Sequence, residues 1–391
     1  MFVGQQLVNL RSMNEMSRAE LAQKLGITEQ AIWQYEKGYT SPKMEIILNL
    51  SNIFDVKSKY FYQENNAFNI VNEKHIAYRS IEKNNMQKVN AEKSYLEQIE
   101  LLLVYIEKTI KHPPNKLLSL RNNSQRIMGE HFNKDNFNKE KIIEELASNA
   151  RVTLGLNSTY NNNLIFHIEK NGAFVLEKPM DVNTDGYSTW TIHDRPYIVL
   201  NSNHKTAVRR NFDLAHELGH LVMHYNEDFQ AIDKNSYNKM EKEAHLFAAS
   251  FLLPKDEFLN DIQFISKVSN PKSYIDLKRK WNVSIAAMGK RVYSLNQMSY
   301  QQYRHFNALL RRYGFVKHEP LDNEIDVIKP GKIRSLMTHV LEKKVITPYD
   351  LSNKFNLNLS KISSLLDLEP NFFNQYLTPQ KEYNFIEIKK V

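Results

Sequence analysis

The residues best placed to do chemistry lie in Phe212-Asp213-Leu214-Ala215-His216-Glu217-Leu218-Gly219-His220-Leu221-Val222-Met223-His224. The stretch contains H-E-x-x-H and reads as a helix. At about 3.6 residues per turn, His216 and His220 fall one turn apart on one face. Two imidazoles at that spacing can grip one zinc ion, and Glu217, beside the first, can take the proton of a water at the metal.

Such a site needs a third protein ligand. His224 is the nearest candidate in sequence, but on a straight helix it stands about 12 Å along the axis from His216. A metal bonded at about 2.1 Å to each nitrogen cannot span that. A better source is the helix expected over Met240 to Leu253, apolar at Ala244, Phe247, Ala248 and Phe251 and stopped by Pro254. Glu241 and His245 share one of its faces at i, i+4, whereas Glu243 points elsewhere. Glu241 is therefore the first candidate for third ligand and Glu243 the second.

The elements that must position these helices form an α+β region. Lys139 to Ala150 reads as a helix, and Leu164 to Val175 brackets a turn at Asn171-Gly172 before a strand. Asp185 to Trp190 and Pro196 to Asn201 read as strands, the second lying directly before the zinc helix. In thermolysin-like zinc peptidases an edge strand there holds the substrate backbone by strand addition. Tyr197, Ile198, Val199, Leu200 and Asn201 are the expected substrate strand.

Residues 137 to about 295 resemble the ImmA/IrrE family of metallopeptidases. The resemblance is carried by Leu164 to Val175, Pro196 to Asn201, Arg209-Arg210-Asn211-Phe212 into His216-Glu217-Leu218-Gly219-His220, and Glu241 and Ala244 into Phe247-Ala248-Ala249 and Leu252-Leu253-Pro254. It implies a zincin-like fold, zinc ligands at His216, His220 and Glu241, and a general base at Glu217. It also implies a narrow substrate, such as a DNA-bound repressor. Two positions depart from the family pattern: Asp213 stands where Thr is usual, and His245 where Asn is usual. Both fall beside the expected metal, where outer groups tune affinity and water acidity. Tyr187, His193 and His245 are the candidates for a second oxyanion donor.

The N-terminal 62 residues read as five short helices. Ser17-Arg18-Ala19-Glu20 has the capping-box form. A helix ending at Gly26 is followed by Thr28 to Lys37 and then Gly38, the spacing of a helix-turn-helix. Ala19 to Ile27 and Tyr35-Glu36-Lys37-Gly38 before Ser41-Pro42 resemble the phage-repressor type, the XRE family. That resemblance implies double-stranded DNA binding by a homodimer, one half-site per domain. Glu29, Gln30 and Gln34 would face base edges, and Arg18, Gln23 and Lys43 would meet phosphates.

Residues 63 to 90 are polar and linker-like. Tyr95, Ile99, Leu102, Ile106 and Ile110 then recur at helical spacing, and His112-Pro113-Pro114 ends the run. Asp276 to Met288 has helix-turn-helix rhythm. Arg304, Arg311, Arg312 and Lys317 form a basic stretch that reads as a solvated face. Asp350 to Ile362 is helix-turn-helix-like without a glycine turn, and reads as a docking module rather than a second DNA reader.

Composition bounds the rest. The 391 residues are 42% apolar and 25% charged, which fits several soluble domains. The net charge of +8 permits a nucleic-acid partner. The chain has no cysteine, so thiolate metal sites and disulfides are excluded. No apolar run reaches the roughly 18 residues of a membrane span, and no signal-peptide pattern opens the chain; the expected location is the cytoplasm.

The expected architecture is multidomain. An all-α helix-turn-helix domain spans 1–65, a polar linker with an amphipathic helix 66–136, an α+β zincin-like H-E-x-x-H metallopeptidase domain 137–295, and a mainly helical region 296–391. The expected function is a DNA-binding transcriptional regulator with a zinc endopeptidase that cleaves a regulatory protein, or itself, when a signal arrives. Two alternatives remain: a regulator whose zinc domain senses or stabilises without cutting, and a peptidase whose N-terminal domain only docks to protein.

Overall fold

The computed structural model describes residues 1–63, 70–76, 86–111, 114–132, 138–156, 159–181, 184–203, 206–229 and 231–377. In chain order the helices are α1 (Gly4–Met13), α2 (Arg18–Leu25), α3 (Glu29–Glu36), α4 (Met44–Phe54), α5 (Met86–Glu107), α6 (Lys116–Phe132), α7 (Lys139–Leu154) and α8 (Leu164–Lys170). Strands β1 (Phe174–Lys178), β2 (Gly186–Trp190) and β3 (Pro196–Asn201) follow. Then come α9 (Ala207–Met223), α10 (Lys234–Leu252), α11 (Lys255–Ile262), α12 (Ile275–Trp281), α13 (Ile285–Ser294), α14 (Tyr300–Arg312), α15 (Lys332–Glu342), α16 (Pro348–Phe355) and α17 (Leu359–Leu365). Much of the expected 63–90 linker, the stop at His112-Pro113 and the expected domain start at 137 lie outside the described residues. Among the described residues no helix is long and apolar enough to cross a membrane.

The backbone divides into two compact units. The first gathers the described residues within Met1–Asn66, Gln98–Ile110 and Arg334–Val391. Its N-terminal part has four α-helices and a final 3-10 turn at Ser58–Tyr62, in place of the fifth helix. Ser17 and Glu20 close the capping box reciprocally: the Glu20 amide donates to Ser17 Oγ at 3.1 Å and the Ser17 amide to Glu20 Oε2 at 2.6 Å. Gly26 ends α2 at φ +66, left-handed backbone that suits glycine. Leu7, Leu21, Ile32, Ile47 and Leu50 form the apolar centre.

The same unit takes in the C-terminal helices. Val56 and Leu357 form an antiparallel bridge. The Lys57 amide donates to the Asn356 carbonyl at 2.9 Å, and Asp55 accepts from Asn358 Nδ2 and Ser360 Oγ at 2.7 and 2.5 Å. Asn356 sits at φ +53 between α16 and α17, the turn position that glycine occupies at Gly26.

The second unit comprises the described residues of Ala67–Glu97 and Lys111–Ile333. Its sheet has the order β1-β3-β2, with β3 parallel to β1 and antiparallel to β2. This corrects one expectation: Tyr197–Asn201 is the middle strand, not an edge. Its backbone is paired on both sides, Val199 opposite Leu176 and Tyr187, so it has no free edge for a substrate. The outer strands are β1 and β2.

Side chains of β2 alternate between two faces. Trp190 Nε1 donates to the Leu221 carbonyl of α9 at 2.9 Å. On the other face the Tyr187 hydroxyl donates to Glu92 on α5 at 2.6 Å, and Lys178 of β1 meets the same carboxylate at 2.8 and 2.9 Å. One apolar cluster joins α7, α8, the sheet, α9, α10 and the helices that follow, through Leu146, Ile168, Ile198, Leu218, Phe251 and Trp281. Arg151 and Asn161 fasten the end of α10: Arg151 donates to the Phe251 carbonyl at 2.6 Å, and Asn161 to those of Leu252 and Trp281 at 2.8 and 2.7 Å.

Candidate metal centre

Helix α9 is buried along almost its whole second half, from Asp213 to Met223. A polar triplet in so dry a helix needs partners, because buried polar groups are costly unless paired. The partners come from α10 on one side and β2 on the other. Asp233 starts α10 by accepting from the Asn235 and Ser236 amides at 2.8 and 3.1 Å. Gly219 lets the two helices close together: a Cβ there would stand 3.1 Å from the ring of Phe247, itself stacked on Phe251.

Three side chains converge. His216 Nε2 and His220 Nε2 lie 3.2 Å apart. Glu241 reaches both, Oε2 at 3.5 Å from His216 Nε2 and Oε1 at 3.3 Å from His220 Nε2. Ligands of a tetrahedral zinc, each bonded at about 2.05 Å, stand roughly 3.3 Å apart. The separations and the two-imidazole, one-carboxylate donor set therefore fit a divalent ion of that size, and among the described residues this is the group of histidine and acidic side chains that can hold one. Burial raises the Glu241 pKa, but the two histidines outweigh it and hold the carboxyl well below its usual range.

Glu217 stands beside this group on the β2 side. Ser188 Oγ donates to Glu217 Oε2 at 2.8 Å and lies 3.1 Å from the Glu217 carbonyl. Burial pushes the Glu217 pKa up to about 7, against the lowering effects of His220 and the Ser188 hydrogen bond; Glu241 and Asp213 add to the rise. A carboxylate near 7 is matched to accept and return a proton at neutral pH.

The remaining candidates separate. His224 is not in the converging group; its Nδ1 lies 3.1 Å from His220 Nδ1 and its Nε2 3.2 Å from Glu243 Oε2. Glu243, the second candidate for third ligand, faces His224 and Lys139 instead. Of the three oxyanion candidates, His245 alone adjoins the histidine pair, its ring 4.6 Å from that of His216. Tyr187 points to Glu92 across the sheet, and His193 is exposed in the turn after β2. Asp213 is buried and near enough to Glu217 to act on its charge.

Sequence reading missed Ser188, since one serine in a strand carries no signal. It also missed the rim. Val71 bridges Thr191 just past β2, the Phe229 amide donates to the Lys74 carbonyl at 2.9 Å, and the Phe229 ring lies 6.0 Å from that of His220.

In the N-terminal part, Gln23, Glu29, Gln30 and Lys43 are exposed and Gln34 is half-buried on α3. Arg18, expected at a phosphate, is 36% exposed; its Nε is held 2.5 Å from Glu36, which also takes Arg11 at 2.6 Å. The Glu36 side chain is 1% exposed, so the two ion pairs join three helices around a buried carboxylate.

Comparison with known families agrees with this division. Residues 168–293 match the peptidase family model described as an IrrE N-terminal-like domain, and residues 9–61 match the helix-turn-helix model. No curated protein matches the chain.

Proposed function

We propose, for a chain that joins an XRE-type helix-turn-helix domain to an IrrE/ImmA-like peptidase domain, that it is a DNA-binding transcriptional regulator whose zinc-dependent endopeptidase cleaves a regulatory protein, or itself, in response to a signal. The reading assigns 1–65 to DNA binding, 137–295 to proteolysis and 296–391 to a helical C-terminal region. It takes the working form to be a cytoplasmic homodimer on a two-half-site operator.

The observation that carries it is the placement of Glu217, buried, pinned by Ser188 and adjoining the three converging donors. A site that only stabilised the fold would have no use for a base in that position. His216, His220 and Glu241 would hold the zinc. When bound, zinc polarises a peptide carbonyl and acidifies water. Glu217 would then take the proton of the attacking water and deliver it to the leaving nitrogen. Ser188 holds one carboxylate oxygen and leaves Oε1 for the proton. Among the described residues no strand pairs with the outer side of β2, beside Ser188, and that side is the place for the substrate backbone, because β3 is paired on both edges.

The experiment is mass-spectrometric mapping of new protein N-termini in host cells, with and without DNA damage or oxidative stress. Cells with the wild type are compared with cells carrying Glu217→Gln. A cleavage present only with Glu217 supports the peptidase and identifies its substrate. If no terminus differs under any stress while the variant still binds zinc and DNA, the metal domain is a sensor without proteolysis.

A further inference from the structure

We propose that residues 70–76 form an inhibitory strap, a segment of this chain that lies where a substrate strand would pass along the outer side of β2. The proposal rests on the reading of this region as a peptidase that takes its substrate along β2.

The backbone just past β2 sets the geometry. The Thr191 amide donates to the Arg195 carbonyl at 2.9 Å, in the turn that leads to β3. Successive residues of a strand direct their backbone groups to opposite sides, so the next amide, that of Ile192, faces away from β3. It donates to the Ile70 carbonyl at 2.9 Å, and Val71 forms an antiparallel bridge with Thr191. By the same alternation Trp190, Ser188 and Gly186 direct their backbone groups to the outer side. The segment therefore lies in line with the proposed substrate path and has the polarity of an antiparallel added strand. Continued in that register, Lys74 would stand opposite Ser188, beside Glu217.

It does not continue. Asn72 turns it out of the strand line: the Asn72 side-chain oxygen accepts from the Lys74 amide at 3.1 Å, and the Asn72 carbonyl accepts from the His75 amide at 3.0 Å. The resulting 3-10 turn, Glu73–His75, carries the segment to the loop after α9. There the Phe229 amide donates to the Lys74 carbonyl at 2.9 Å, and Lys74 Nζ lies 3.2 Å from Asp228. Val71 and Ile76 anchor the two ends and are buried. The strap thus ties the end of β2 to a loop whose Phe229 ring stands 6.0 Å from that of His220. A substrate strand running along β2 past Trp190 has to take the place of Ile70 and Val71.

The hold is of the kind that opens locally: one short bridge, one turn and a largely exposed ion pair. Such a strap weakens substrate binding by the fraction of time it is open. In sequence it lies between the helix-turn-helix match, which ends at residue 61, and the peptidase match, which begins at 168. It is a feature of the stretch that joins the two matched domains.

The chain has no cysteine, so an engineered disulfide has one possible pairing. The Ile192–Ile70 hydrogen bond flanks the Val71–Thr191 pair, which makes it the narrow kind, with Cα atoms about 4.5 Å apart. A disulfide spans that distance. The full-length Val71→Cys/Thr191→Cys protein is compared, oxidised and reduced, with the wild type and with Val71→Glu, which puts a charge at a buried anchor. One readout is hydrogen exchange of the Ile192 amide in the metal-free proteins. The other is mass-spectrometric counting of new termini when the zinc-loaded proteins act on a peptide library made from the host proteome.

Val71→Glu is expected to exchange the Ile192 amide, and to cut the library, about tenfold faster than the wild type. Oxidation of the double variant should slow cutting about tenfold, reduction should restore it, and the cysteine-free wild type should respond to neither. The proposal is overturned if the Ile192 amide exchanges as fast in the wild type as in Val71→Glu, or if the oxidised and reduced double variants cut equally. If no form cuts although Val71→Glu has lost its Ile192 protection and binds zinc, the peptidase reading falls and the inhibition with it.

Discussion

Ser188 Oγ donates to Glu217 Oε2 at 2.8 Å, and both side chains are buried between β2 and α9. One serine thereby sets the orientation of the proposed base. A hydrogen bond to a charged group contributes about 1.5–3 kcal/mol, and here it acts on the ionised form of Glu217. Ser188→Ala is expected to slow substrate cleavage roughly tenfold or more, with the zinc Kd and melting temperature little changed. Steady-state rates on the substrate identified by N-terminal mapping check this; an unchanged rate would mean that Ser188 only packs.

The Glu217 pKa predicts a pH dependence for the metal-free protein. With the folded value near 7 and the ordinary value at 4.5, the native state binds more protons than the unfolded state between those limits. Stability from this group is present below the unfolded pKa and is lost as pH rises through the folded one. Glu217→Gln cannot ionise and should escape that loss. Urea midpoints of the chelator-treated proteins, compared across this window, should therefore diverge in favour of the variant as pH rises. Burial of His224 contributes with the opposite sign, but equally to both proteins, so it cancels in the difference.

DNA binding should separate the role of Gln30 and Lys43 from that of Arg18, which is tied to the buried Glu36 carboxylate. Gln30→Ala removes an exposed amide of α3 proposed to face base edges and is expected to cost about 1–3 kcal/mol on the operator but little on random DNA. Lys43→Ala should weaken both and reduce the salt slope by about one. Arg18→Ala acts otherwise, because its guanidinium is bonded to Glu36. Its main effect is a lower unfolding midpoint of the helix-turn-helix domain, with the salt slope unchanged. Gel-shift titrations at several salt concentrations, together with thermal unfolding, distinguish the three.

The candidate metal centre is legible in the chain where spacing alone decides contact. His216 and His220 meet because i, i+4 is one helical turn, and Glu241 falls on the inner face of a helix whose apolar positions mark its orientation. Ser188 and Lys139 were not legible, since they reach the site by the fold of the sheet and the packing of α7, which no local pattern encodes. Strand β3 was misplaced at an edge although its apolar run, Tyr197-Ile198-Val199-Leu200, is what a strand flanked on both sides looks like. Helix α6 went unread because its polar residues face neighbours: Arg121 lies 4.4 Å over the Trp190 ring and 4.3 Å over that of Tyr225.

The contacts of Asp55 lead to the last prediction. Its carboxylate binds Asn358 and Ser360, some 300 positions away in the chain, and the Val56–Leu357 bridge lies beside it. Residues so paired should unfold with the helix-turn-helix and not as a separate tail. Asp55→Ala and Asn358→Ala should each destabilise this unit, by about 1–2 kcal/mol. The double variant should lose less than the sum, with a coupling energy of about 1 kcal/mol. Asp55 lies at φ +55, so Asp55→Asn, which tolerates that backbone and still accepts one hydrogen bond, should cost less than Asp55→Ala. Denaturant unfolding of the four proteins of the cycle measures the coupling. A value near zero would show that the C-terminal helices merely touch the N-terminal domain; a clear coupling would mean that a ligand at either end can alter the stability of the DNA-binding helices.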